Sequence, residues 1–174
     1  MSEALRAALF PDDGEKTYAI IDGASCEELL EKLDEFQPEY VCLYAGELEP
    51  DIEEVAPYLI RLDPDSEFTR WVIDEGWGKH WGIFALSPSD LRTLRKHFRS
   101  FLLVKDPEGK TLYFRYYDSR VLRLYLPTCT GAELQTVFGP VKDYICESDR
   151  PEVALSIAHE NGSIKTTDIA LSAA

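Results

Sequence analysis

The stretch "TYAIIDGASCEELLEKLDEFQPEYVCLYAG", residues 17–46, decides the fold class. "TYAIIDG" (17–23) is an apolar run closing on aspartate and glycine, which predicts a short buried strand entering a turn. Ser25, with Glu28 three residues on, predicts a capping box, and Leu29, Leu30, Leu33 and Phe36 form the apolar stripe of the helix that follows. Pro38 ends that helix, and "YVCLYAG" (40–46) is strand-like again. This β–α–β order predicts a parallel strand pair with a right-handed crossover.

Further along, "EPDIEEVAPYLIRLD" (49–63) predicts a short acidic turn or helix and then a strand over Tyr58–Leu62. "SEFTRWVIDEG" (66–76) predicts a helix capped by Ser66, with Phe68, Trp71 and Val72 turned inward and Gly76 as a left-handed C-terminal stop. In "GWGKHWG" (76–82), Gly78 suits a tight turn, Trp77 and Trp81 are expected in the core, and His80 reads as a polar residue of the strand "HWGIFALS" (80–87). "SPSDLRTLRKHFRS" (87–100) predicts a helix with Ser87 as cap, Pro88 at the first position and Asp90 in the first turn. Its core stripe is Leu91, Leu94 and Phe98, beside a basic face of Arg92, Arg95, Lys96 and Arg99.

"SFLLVKDPEGKTLYFRYYD" (100–118) predicts a hairpin turning at "DPEG" (106–109). Thr130 and Glu133 predict a second capping box, for "GAELQTVF", stopped by Gly139-Pro140. "VKDYICES" (141–148), "EVALSIAH" (152–159) and "SIKTTDIAL" (163–171) read as strands, the last two joined by the turn signal "ENGS". The order predicts an α+β (mixed α/β) protein of two small, tightly packed lobes: a β-α-β type lobe over 1–86, and a lobe of helices and antiparallel strands over 87–174.

The chain has 174 residues and a formal net charge of −14, unevenly spread. Residues 1–60 hold 16 acids and 3 bases, whereas 61–130 hold 9 acids and 12 bases. Such a balance repels nucleic acid and anionic lipid, and the acidic first third suits a cationic partner segment. Cys26, Cys42, Cys129 and Cys146 form no CxxC pair and lie near no histidine, so metal-ligand spacing is absent. "MSEALRAALFPDDGEK" lacks the basic and apolar regions of a signal peptide, and no run approaches about 18 apolar residues. The expectation is a cytoplasmic protein with reduced thiols, no membrane insertion, no cofactor and no metal.

Candidate functional residues concentrate in "FRYYDSRVLR" (114–123). Continued strand alternation would put Leu112, Phe114 and Tyr116 on one face and Tyr113, Arg115 and Tyr117 on the other, with Arg115 stacked between tyrosines. Asp118 stands at an N-cap position, and Val121, Leu124 and Tyr125 are expected as the buried stripe of the next helix. Arg120 opposes the dipole of that helix's first turn, so it needs a carboxylate or a partner; Arg123 shares its face. No nucleophile–base pair or glycine-rich phosphate loop accompanies these arginines, so no catalytic residue is assigned. The other reading is a small anion- or phosphate-binding domain or enzyme using the 92–123 segment, with His97, Arg99, Arg115 and Arg120 on the ligand.

Several blocks, in order, resemble the bacterial type VI secretion adaptor family catalogued as domain of unknown function 4123. They are "YAIIDGA" (18–24), "YVCLYAGE" (40–47), "APYLIRL" (56–62), "GWGKHWGIFALS" (76–87), "LRKHFRSFLLV" (94–104), "GKTLYFRYYDSRVLRLYLPT" (109–128) and "FGPV" (138–141), covering roughly 17–145. Gly76, Trp77, Gly78, Trp81, Gly82, Arg115 and Asp118 carry the most specific part. Where the family pattern reads Asp-Pro-Arg, this chain has Asp118-Ser119-Arg120, which keeps the cap and loses the preorganised proline. The resemblance implies a non-enzymatic adaptor-chaperone that binds a cognate secreted effector and helps load it onto the VgrG spike. Arg92, Arg99, Arg120 and Arg123 are then the candidate protein-binding positions, with Arg115 and Asp118 in the scaffold.

Overall fold

The computed structural model describes residues 3–105 and 108–171. Seven strands form one sheet, in chain order β1 (Lys16–Asp22), β2 (Tyr40–Cys42), β3 (Pro57–Leu62), β4 (Gly82–Ser87), β7 (Asp143–Glu147), β8 (Val153–Glu160) and β9 (Ser163–Ala170). A separate two-stranded hairpin consists of β5 (Leu103–Lys105) and β6 (Thr111–Tyr113). The helices are α1 (Glu3–Leu9), α2 (Leu29–Phe36), α3 (Pro50–Val55), α4 (Glu67–Gly76), α5 (Leu91–Ser100), α6 (Ser119–Tyr125) and α7 (Gly131–Phe138).

Across the sheet the order is β2-β3-β1-β4-β7-β8-β9, and every pairing among the described residues is antiparallel. The expected parallel pair of β1 and β2 does not form. The two strands run the same way, but β3 lies between them and pairs with both. Burial gives the reason: β3 is apolar on both faces and takes an interior place, while β2 is short, bears an exposed Tyr40 and stays at the edge. The crossover through α2 therefore spans two strand spacings, about 10 Å.

Strand alternation divides the core in two. Tyr18 and Ile20 of β1, Ile83 and Ala85 of β4, and Tyr144 and Cys146 of β7 pack on one face against Leu94 and Phe98 of α5, Leu122 of α6 and Val137 of α7. Ala19 and Ile21, Phe84 and Leu86, and Ile145 face the other side, against Leu9 of α1, Leu33 of α2 and Phe68 and Val72 of α4. Burying each such leucine or phenylalanine is worth about 1.5–3 kcal/mol. Ser87, the expected lobe boundary, closes a strand paired with β1 on one side and β7 on the other, so the two halves of the chain join through one sheet.

Several local expectations change. Asp22 takes over the turn after β1: its carboxylate accepts from the Ala24 amide at 3.3 Å and the Ser25 hydroxyl at 3.0 Å. Residues Gly23–Ser25 wind into a 3-10 turn, and α2 begins only at Leu29 with no side-chain cap, so the Ser25–Glu28 box is absent. Ser87 is not a cap either; its hydroxyl donates to the Pro140 carbonyl at 2.7 Å, and Asp90 caps α5 through the Thr93 amide at 2.8 Å. Ser66 caps α4, and Thr130 with Glu133 forms the full capping box of α7. At the β8–β9 turn, Asn161 and Gly162 both have positive φ, as a two-residue hairpin requires. In the β5–β6 turn, Asp106 and Pro107 lie outside the described residues.

Candidate functional site

The turn after α4 meets the start of α6 and the end of β7, and most of the singled-out residues gather there. Gly76 is the last residue of α4 and is not left-handed; it is needed for space, because a Cβ would stand 2.6 Å from the Trp81 ring. Gly82 has the same reason in sharper form, with a Cβ 2.0 Å from the Ile20 carbonyl oxygen. Gly78 has φ +89° and makes the tight turn. Trp81 is buried against Trp71, ring centroids 5.1 Å apart, while Trp77 is half-buried and stacks on Phe84 at 6.2 Å.

His80 is not a strand residue. It sits in the turn with φ +55°, and the acid that the local sequence withheld comes from β7, 67 residues away. The buried Glu147 carboxylate accepts from the His80 amide at 3.1 Å, and its second oxygen lies 2.8 Å from His80 Nδ1. Burial raises the Glu147 carboxyl above the ordinary glutamate value, while the His80 charge and the amides of His80 and Gly78 pull the other way. Ser119 Oγ also lies 3.0 Å from His80 Nδ1. A serine–histidine–carboxylate relay needs one ring nitrogen for the acid and the other for the hydroxyl. Here both meet the same nitrogen, so the trio acts as a tether between turn, helix and strand.

Asp118 caps α6 as expected, accepting from the Arg120 amide at 2.9 Å. The Arg120 guanidinium folds back on the same carboxylate, at 3.0 and 2.7 Å, which supplies the partner its position in the first turn demands. Burial pushes the Asp118 carboxyl up, but these hydrogen bonds and the arginine charge outweigh it and leave it below the ordinary aspartate value. Strand β6 ends at Tyr113, so the expected alternation stops there: Tyr116 and Tyr117 are both buried, and Arg115 leaves the tyrosines to pair with the buried Asp22. In α6 the inward residue is Leu122, followed by Leu126, whereas Leu124 is 77% exposed.

Each of the residues proposed for a phosphorylated ligand is held by a partner within the chain. His97 Nε2 donates to the Val137 carbonyl at 3.0 Å, and burial lowers its pKa. Arg99 grips the carbonyls of Cys42, Leu43 and Tyr44. Arg115 and Arg120 are held by Asp22 and Asp118. Of the docking candidates, Arg123 is 14% exposed and pairs with Asp149 at 2.7 Å, while Arg92 and Arg120 reach solvent. All four cysteines are free thiols; burial pushes Cys26 and Cys146 up to about 12.

A second region had no single sequence motif. Among the described residues eight large apolar side chains are exposed, and seven lie toward the β2 end of the molecule. Leu103, Val104, Leu112 and Tyr113 cover both faces of the β5–β6 hairpin, and Tyr40, Ile52 and Val55 belong to β2 and α3. The Tyr113 ring meets Tyr44, centroids 4.9 Å apart. Tyr44 and Glu53 of α3 line one groove of about 390 Å³, whose other wall carries Arg95 and Arg99. Tyr58 ties the remaining patch in, donating to the Glu53 carbonyl at 3.0 Å and touching the Tyr40 ring at 6.0 Å. The sequence signal was present but scattered: α3 has no buried residue, and the hairpin strands are apolar on both faces.

The fold defines an α+β protein, a mainly antiparallel sheet between two layers of helices. Residues 17–136 match the family described as Domain of unknown function (DUF4123), and the chain belongs to that family. No curated protein and no solved structure matches the chain. Both polar clusters described above join blocks inside the match, except that Glu147 and Asp149 lie beyond it. Among the described residues no helix is long and apolar enough to cross a membrane.

Proposed function

We propose that the protein is a cytoplasmic adaptor-chaperone of type VI secretion that binds a toxic effector and helps load it onto the VgrG spike. The family resemblance suggests this reading, and one observation of this chain carries it: seven of the eight exposed large apolar side chains among the described residues belong to β2, α3 and the β5–β6 hairpin. Scattered exposed leucines need no explanation, but exposed apolar side chains gathered on a few elements support a place where a partner docks. The polar cluster at Asp118, by contrast, already satisfies its own charges and supports scaffold roles for Arg115 and Asp118. Arg92, which faces solvent on α5, is left as a candidate contact, where a charge steers encounter more than it holds the complex, whereas Arg120 is held by Asp118.

The test is purification of the full chain from its native cell, with mass spectrometry of what accompanies it. An effector and a spike protein in stoichiometric amounts are expected. Recovery of neither, from cells that are secreting effector, refutes the adaptor reading.

A further inference from the structure

We infer that the outer edge of β9 pairs, antiparallel, with β9 of a second copy of the chain. The two edges of the sheet differ. β2 is three residues long, whereas β9 runs for eight residues in continuous register with β8, without bulge or proline. The Leu171 amide donates to the Glu152 carbonyl, so the odd-numbered peptide groups of β9 turn toward β8. Those of Ile164, Thr166, Asp168 and Ala170 therefore turn outward. Among the described residues nothing in the sheet pairs with them, since β8 is the neighbour of β9 on one side and no strand lies on the other. Edge strands are commonly blunted by proline or by unpaired charge. Here both charges are taken up within the chain, Lys165 by Glu160 and Asp168 by Arg150. Thr166 and Thr167 face opposite sides of the sheet and both are exposed, and α1, which packs beside β9, leaves Asp168 and Ala170 exposed.

The residues of β9 fit a copy of themselves. In a two-fold antiparallel pair with Thr167 on the axis, Ile164 stands opposite Ala170 of the second copy, Thr166 opposite Asp168, and Lys165 opposite Ile169. All four outward peptide groups of each copy then find partners, about eight hydrogen bonds in all. No like charges meet, and the Thr166 hydroxyl can donate to the Asp168 carboxylate across the pair. Neighbouring registers are worse: an axis at Asp168 sets two aspartates face to face, and an axis at Thr166 sets Asp168 against the half-buried Ile164. The pair also continues both core layers. Ile164 packs at the rim of one and Ile169 at the rim of the other, and the second copy covers them with Ala170 and the Lys165 stem. A contact one strand deep falls below the about 1,200 Å² of a stable complex, so the dimer is weak and forms at about 0.1 mM. Each copy carries a formal charge of −14, so added salt strengthens the pairing.

Sedimentation of the full chain from about 0.01 to about 1 mM is expected to show monomer passing to dimer, at lower concentration when salt is high. Thr167→Lys sets two ammonium groups opposite each other on the axis. It is expected to weaken the dimer about tenfold or more while the melting curve stays that of wild type. Mixing Thr167→Lys with Thr167→Glu brings opposite charges together and is expected to restore the dimer. Cross-linking gives an independent readout. Facing residues of a non-hydrogen-bonded pair have Cα atoms about 4.5 Å apart, within disulfide reach, so Thr167→Cys with oxidised glutathione should join two copies well above the wild-type background. Lys165→Cys lies on the same face of the same strand but about 14 Å from its counterpart, and is expected not to cross-link. A chain that stays monomeric to about 1 mM overturns the inference. A dimer that Thr167→Lys leaves unchanged does so too, since the copies then meet elsewhere, as does equal cross-linking by Lys165→Cys. Should Thr167→Lys not fold, the comparison of the two cysteine variants decides alone.

Discussion

The junction around Asp118 and the surface around Tyr113 are built from neighbouring stretches of one motif-rich segment, yet they differ in what they leave unsatisfied. At the junction, Asp22 holds Arg115, Asp118 holds Arg120, and Glu147 holds His80. On the hairpin, Leu103, Val104, Leu112 and Tyr113 remain in water. In these two regions the charged residues fasten the fold together, and the apolar ones are left exposed. A buried carboxylate stripped of its partner costs several kcal/mol, whereas a leucine left in water costs little, so only the second kind of residue can wait for a partner.

The contrast breaks most visibly at Gly82. In Gly82→Ala the new methyl meets the Ile20 carbonyl, and β1 and β4 must separate. The expected loss is about 3 kcal/mol or more, read as a large fall in the urea midpoint. A midpoint within experimental scatter of wild type would show that the close approach is not tight. Arg115→Ala comes next. The arginine itself is 48% exposed, but it leaves Asp22 buried with only the Ala24 amide and Ser25 hydroxyl, so about 2–3 kcal/mol should be lost.

Asp118→Ala removes a cap and releases Arg120, for about 1–2 kcal/mol. Its isosteric partner Asp118→Asn sharpens the point through pH. The folded-state pKa of Asp118 is depressed, so its ionic contribution is fully present above the ordinary aspartate value of 3.8 and is lost as pH falls through the folded pKa. The stability difference between wild type and Asp118→Asn should be constant near neutrality and close at strongly acidic pH. A difference that instead grows on acidification contradicts the assigned pairing. The smallest effect belongs to the apolar end: Ile52→Ser and Leu112→Ser should each shift stability by no more than about 0.5 kcal/mol. A loss comparable with Arg115→Ala would place these residues in the scaffold and erase the contrast.

The sequence by itself determined what depends on neighbours a few residues apart. The cap by Ser66, the capping box of Thr130 and Glu133, the Asn161–Gly162 turn and the N-cap of Asp118 were all legible, because each is a contact within one turn of chain. The α+β class followed from the alternation of such elements, and the family from blocks in fixed order. Tertiary structure decided which strand sits where: β3 entered between β1 and β2 because burial on both faces, not chain order, selects an interior strand. It also assigned the ionic partners. Asp22 reaches Arg115 across 93 residues and His80 reaches Glu147 across 67, and no local pattern encodes such distances. Competition at a single carboxylate had the same effect on a smaller scale, when Asp22 captured the Ser25 hydroxyl and delayed α2 to Leu29. The exposed apolar residues of β2, α3 and the hairpin were the most hidden, since they are far apart in the chain and the Tyr113–Tyr44 contact that brings the hairpin to the β2 end exists only once the chain has folded.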